Sequence, residues 1–376
     1  MRSEKIKIII VLFLFMMVCS TCHTDIVPQQ LGVETEIINF SSLKRIETNS
    51  MPENIIKNVS YVNLDGSFDD ILFKETYKLK IANNRIFILD FLLRKLVVFD
   101  STGAGIGKVG NRGQGPEEYL RIHDFCVSDA GNIYLMDGTT GKRKLFTFDK
   151  DFKLVSIQQL PFSANYIHRL TNDKYLFALN SWNKENNAST QIVITDDKLK
   201  TEKAYLQFDE YIDDNFIIGS STFTHFDDKI LYHRTIDNFV YEFSKEGEPL
   251  KAYFFDFGSR DVPNNVRKNV ERNLEEFTRY SCIRNIVLIN EKYIAGVLFE
   301  RTPKPFIVDR TENCVYILNR QEKGFRDMLW CYENKLVSCI YPIGMDEDIL
   351  QSANLPQDVK DHIANENFTL CLYELK

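Results

Sequence analysis

The chain has 376 residues, of which 44% are hydrophobic and 12% aromatic, enough apolar side chain for a packed core and too much for a disordered chain. A net charge of -7 with no long basic run excludes an electrostatic nucleic-acid surface, so no nucleic-acid partner is expected. Length leaves the domain count open, because β-barrels, sandwiches and propellers run well past about 200 residues as single units.

The N-terminus reads "MRSEKIKIIIVLFLFMMVCSTCHTDIV", with Arg2, Lys5 and Lys7 ahead of an apolar run from Ile8 to Val18. That run is too short to span a bilayer and matches a signal-peptide core, so export is expected. Cys22 follows the small residues Ser20 and Thr21 and is the expected lipidation site of a bacterial lipoprotein, with membrane contact through the lipid anchor only. Cys19 stands where such a signal usually carries an aliphatic residue, which keeps plain cleavage and secretion as the alternative. Residues 1–22 then form the signal peptide with its lipobox, 23–57 an N-terminal tether and lead-in, and 58–376 the folded domain. The later cysteines Cys126, Cys282, Cys314, Cys331, Cys339 and Cys371 have no metal-ligand spacing and read as small buried apolar residues. Export would permit a disulfide between Cys339 and Cys371 on neighbouring strands.

From residue 58 onward a drifting repeat appears. A polar turn and a β-rich run recur as "NNRIFILD" (83–90), "AGNIYLMD" (130–137), "NDKYLFAL" (172–179), "DDKILYHR" (227–234), "NEKYIAGV" (290–297) and "ENKLVSCI" (333–340). Each has a partner run in step, from "KLVVFD" (95–100) to "FTLCLY" (368–373). The copies begin 47, 42, 55, 63 and 43 residues apart, the period of four-stranded propeller blades. Strand-like lead-ins such as "YKLKIA" and outer runs such as "KLVSIQQL" (153–160) complete most blades. The expected fold is all-β: a six-bladed β-propeller of four-stranded antiparallel blades. Its last blade lacks a fourth strand, and "NVSYVNLD" (58–65) has strand character without a blade, so this N-terminal strand should close the ring. Two long gaps hold helical patterns: 261–280, with Val266, Val270, Leu274 and Phe277 at helix spacing, and 349–367, with Val359 and Ile363.

Between the first two blades lies "VGNRGQGPEEYLRIHDF" (109–125). The preceding "GIGKVG" (105–110) matches G-x-G-x-x-G, but more glycines and a proline follow where a dinucleotide fold needs a helix, and no Gly-Lys-Ser/Thr follows either. The stretch reads instead as a chain reversal between blades. Its "GQGPEEY", with Gly113, Gly115, Pro116, Glu118 and Tyr119, resembles the signature of six-bladed β-propeller lipoproteins of the Bacteroidetes type, relatives of NHL-type propellers. The resemblance covers roughly residues 35–376 and implies a cell-envelope setting in the periplasm or outer membrane. The loop itself offers shape rather than proton-transfer groups, so its expected role is structural.

Propellers gather function at the channel mouth, where inner strands converge. The polar candidates there are Glu75, His123, Asp124, His168, Arg169, His225, Arg284, Arg326 and Asp327, with Tyr166 and Thr222 beside them. The leading expectation is a ligand-binding or protein-docking scaffold without a cofactor, its partner an envelope protein or a glycan-type ligand. The alternative is a metal-assisted hydrolase or lyase, which needs His123, His168 and His225 to converge on a channel metal ion. No G-x-S-x-G elbow or H-E-x-x-H motif is present.

Overall fold

The computed structural model describes residues 31–66, 70–138, 141, 143–180, 183, 190–208, 223–226, 228–234, 236–319, 330–342, 350 and 353–376. Their strands form six sheets, each a blade, and the blades make a β-propeller. The inner strands of blades 1 to 6 are Lys78–Ala82, Ile122–Val127, Ala164–Arg169, Phe223–Phe226, Cys282–Ile289 and Trp330–Tyr332. Each is followed by antiparallel partners at the repeats read from the sequence. In blade 1 the hairpin turns on Asn83 and Asn84, both at positive φ (51° and 56°), as a tight two-residue turn requires.

Six apolar clusters occupy the six seams between neighbouring blades. Between blades 1 and 2, for example, Phe87, Leu96 and Val98 meet Phe125, Leu135 and Phe146. Both faces of a blade are therefore buried. That is why its strands read as continuous apolar runs rather than as clean alternation.

The ring closes as the sequence suggests. Ile56–Asn63 pairs antiparallel with Thr369–Leu375 and becomes the fourth strand of blade 6. The seam to blade 1 is then tied by the Asp65 amide, which donates to the Gly103 carbonyl at 2.8 Å. Gly103 sits at φ 94°, and a Cβ there would stand 1.9 Å from the Asn63 carbonyl oxygen; only glycine permits this approach.

Two further strands come from the lead-in. Thr35–Asn39 adds in parallel to the outer edge of blade 4, and Lys44–Thr48 to that of blade 5. Glu36 bridges Lys251 (2.7 Å) and Arg310, while Arg45 grips Glu300 at 2.6 Å. These strands cover edges that would otherwise expose unpaired backbone. The six later cysteines are free thiols, Cys339 and Cys371 among them.

Both helical insertions form, with one difference. Residues 261–280 hold single helical turns at Asn264–Arg267 and Leu274–Phe277, separated by a 3₁₀ turn at Glu271–Asn273. Val266, Val270 and Phe277 pack with Ile236, Val262 and Cys282, but Leu274 is 50% exposed. The tighter 3₁₀ turn advances the chain by about 120° per residue instead of about 100°, which rotates Leu274 off the buried stripe. The helix Gln357–Ala364 places Val359 and Ile363 over Ile340, Cys371 and the closing strand's Val59 and Tyr61. Its His362 donates from Nε2 to the Leu64 carbonyl (3.1 Å). Both insertions lie in connections at the end where inner strands begin. The hairpin turns that follow the inner strands occupy the opposite face.

Candidate functional site

On that opposite face the channel opens into a cavity of about 510 Å³. It is built from the last residues of the inner strands of blades 1, 2, 3, 4 and 6 and from the turns that follow them. Lys80, His168, Arg169, His225 and Cys331 come from the strands, and Asn83, Asp129, Asp173, Asp228 and Glu333 from the turns. Below it the channel narrows to about 50 Å³ among Lys78, Phe125, Phe223, Thr224 and Trp330.

Lys78 and Lys80 lie two residues apart on one strand, so both project to the same side, but they meet different fates. Lys78 Nζ donates to Asp124 Oδ1 (2.6 Å) and to the Phe125 carbonyl (2.9 Å), while Asp124 Oδ2 accepts the Ile167 amide (2.8 Å). That buried pair ties blades 1, 2 and 3 together. Lys80 has no such partner: among the described residues no carboxylate or hydrogen-bond acceptor reaches its ammonium. It keeps contact with water only through the cavity, and burial together with the Lys78 charge lowers its pKa to about 8.

The imidazoles of His168 and His225 stack across blades 3 and 4, with centroids 5.6 Å apart and planes 19° off parallel. Burial pushes His225 down to about 4 and, with the neighbouring His225 and Lys80, holds His168 well below the ordinary histidine range. Both rings are neutral at pH 7. Arg169 lies over the rings of Tyr175 (4.3 Å) and Tyr134 (5.2 Å), and its Nη2 donates to Asp173 at 2.8 Å. Its Nη1 is buried and, among the described residues, has no hydrogen-bond partner. At the rim Lys245 pairs with Asp228 at 3.1 Å.

Three of the residues named from the sequence, His168, Arg169 and His225, are thus brought together. His123 is not. It stands near the start of its inner strand, towards the other face, where its Nδ1 accepts the Gly138 amide at 3.1 Å. The three-histidine metal site is therefore corrected: residues early and late in parallel-running inner strands end at opposite mouths of the channel. Among the described residues no group of three or more His, Cys, Asp or Glu is placed to hold a metal ion. Asp124 turns into the blade seam, and Glu75 accepts the Leu92 amide (2.9 Å) before the inner strand of blade 1 begins. Arg284, half-buried, stands near the start of the inner strand of blade 5. Cys22, Thr222, Arg326 and Asp327 lie outside the described residues. Lys80 was not among the candidates; its signal is the Lys-x-Lys spacing within "YKLKIA".

The "GQGPEEY" loop closes on itself. The Gly115 amide donates to Glu118 Oε2 (2.8 Å), the Gly113 amide to the Tyr119 carbonyl (3.0 Å), and Lys144 Nζ to the Pro116 carbonyl (3.2 Å). A Cβ on Gly113 would lie 1.8 Å from the Glu118 carboxylate. Tyr119, 1% exposed, wedges into the seam edge-on to Phe146. Glu118 and the Gly113 and Gly115 amides are engaged within the turn, away from the cavity, while Gln114 and Glu117 are exposed.

No curated protein matches the chain. Among solved structures it is similar to BF0058 of Bacteroides fragilis, named as an exported protein, at 17% identity and a TM-score of 0.74, covering 90% of this chain and 99% of that one. A member of the DUF4221 family from Bacteroides vulgatus is similar at 9% identity and a TM-score of 0.52, covering 86% and 97%. At these identities the likeness is one of fold. The model of the family described as a domain of unknown function, DUF4934, matches residues 35–367, nearly the whole propeller together with its two N-terminal edge strands, and the chain belongs to that family.

Proposed function

We propose that the protein is an exported, lipid-anchored component of the cell envelope whose propeller binds a small polar ligand in the channel-mouth cavity. The observation that carries this is the cavity itself: about 510 Å³, within the size range of small-molecule sites, with polar side chains converging from five blades. A rigid ring of blades holds those side chains in place without ligand, which lowers the ordering cost of binding. Export and anchoring are supported by the apolar run before Cys22, by the likeness of "GQGPEEY" to the signature of NHL-related propeller lipoproteins, and by the exported Bacteroides protein of the same fold.

The binding reading is tested by screening glycan fragments and small metabolites against the full chain and repeating each hit on Ala130→Trp, which projects an indole from the exposed rim into the cavity. Loss of binding in the variant supports the site; undiminished binding places the ligand elsewhere and overturns it. For the anchor, Cys22→Ala should lose the lipid mass and move from the detergent phase to the aqueous phase. Unchanged mass and partition would refute lipidation at Cys22.

A further inference from the structure

Within the proposed binding cavity, the charges are sorted by depth. Lys80 and the two stacked histidines project from strands, whereas Asp129, Asp173, Asp228 and Glu333 sit on or beside the turns at the rim, Asp173 with Arg169 as its partner. A cation withdrawn from water without a partner is costly. Such an arrangement is found where a ligand supplies the missing charge.

Resting on that reading of the cavity, we infer that its floor is an oxyanion site: Lys80 holds a carboxylate or phosphate group of the ligand against the stacked imidazoles of His168 and His225. Several features fit an anion and not a neutral or cationic group. The ammonium of Lys80 offers three donors and, among the described residues, has no acceptor. Arg169 takes no part in this: its guanidinium is engaged with Asp173 and lies over the rings of Tyr134 and Tyr175. Each neutral imidazole carries one N–H, and among the described residues neither ring has a hydrogen-bond partner. The donors of the floor are therefore the Lys80 ammonium and one N–H of each imidazole. At the rim Asp173 and Asp228 are paired with Arg169 and Lys245, and Glu333 lies 3.9 Å from Lys335, so a ligand that enters with its anionic end inward leaves hydroxyl or amine groups to face Asp129.

The test is isothermal titration of the full chain at pH 7 and constant ionic strength with three probes: sodium phosphate, sodium glucuronate and glucose. Saturable binding of phosphate or glucuronate, with glucose much weaker, is expected; which of the two binds separates a phosphate-bearing from a carboxylate-bearing ligand. Lys80→Met should weaken that binding by about tenfold or more, and Lys80→Arg, which keeps the charge, should retain most of it. Glucose binding as tightly as glucuronate, unaffected by Lys80→Met but lost in Ala130→Trp, would overturn the anion site and leave the cavity reading standing. Binding of none of the three would overturn both. Anion binding that Lys80→Met leaves intact would overturn the assignment to this floor.

Discussion

Replacing Lys80 by Met keeps an unbranched stem of similar volume and removes the ammonium, so the change isolates the buried charge. The folded environment lowers this group from 10.5 to about 8. At about 1.4 kcal/mol per unit, the fold carries a penalty of up to about 3 kcal/mol while Lys80 is charged. Water in the cavity makes that an upper value. The groups facing the ammonium are Lys78, which acts in the same direction as burial, the neutral His168 and His225, and Cys126, Cys331 and Asp129, which oppose it weakly. The sign follows from proton counting. Between about pH 8 and 10.5 the unfolded chain holds the Lys80 proton more often than the folded one, so the wild-type protein gains stability relative to the variant as pH rises. Urea unfolding should show Lys80→Met more stable by up to about 3 kcal/mol at pH 7, with the gap narrowing to about 1.5 kcal/mol at pH 9.5. A variant no more stable than wild type at pH 7, or a gap independent of pH, would refute the uncompensated buried ammonium.

Acid should weaken the fold through its buried histidines. His225, and His233, whose Nε2 donates to the Asp237 carbonyl at 3.1 Å, are both lowered to about 4. Their contributions are intact above about pH 6.5 and are lost as pH falls towards 4, by on the order of 3 kcal/mol each; a melting temperature that stays flat from pH 7 to 4 would contradict this. Asp124→Asn strips the buried Lys78 of its counter-charge and should cost about 3 to 5 kcal/mol, whereas the double variant Lys78→Met/Asp124→Leu should recover much of it. An additive double-mutant cycle from urea unfolding would show the pair to be uncoupled. Gly103→Ala should lose more than about 2 kcal/mol and speed hydrogen exchange in the closing strand Ile56–Asn63, because its Cβ would meet the Asn63 carbonyl; unchanged exchange there would show that the turn yields without disturbing closure.

The parts of the fold that were legible in the sequence are those with a repeated physical cause. Every blade buries both faces, so each repeat had to carry paired β-rich runs, and an orphan strand at 58–65 beside an incomplete last blade implied closure. The added edge strands Thr35–Asn39 and Lys44–Thr48 belong to no repeat. Each has five residues whose meaning lies only in which blade edge they meet. Leu274 followed helical spacing and still missed the buried face, because a 3₁₀ turn shifts phase without leaving a mark in the hydrophobic pattern.

The site follows the same logic at finer grain. His168, Arg169 and His225 were visible as polar residues in inner strands, but His123 looked equivalent to them, since membership of an inner strand does not say which mouth of the channel a side chain reaches. Position along the strand does. All inner strands run the same way, so residues late in each strand converge on one mouth and residues early in each on the other. The same rule finds Lys80. In "YKLKIA" two lysines flanking a leucine read as the wet side of an ordinary half-exposed strand, yet they lie on the face turned to blade 2, opposite Leu89 and Phe87, where the inner edge of the seam opens onto the channel. Lys78, earlier, reaches the waist, where Asp124 satisfies it; Lys80, one pleat later, reaches the mouth, where the described residues offer no partner. A strand that places one of two equivalent cations in a finished ion pair and the other in an open cavity separates, within three residues, what holds the ring together from what is left free to meet a ligand.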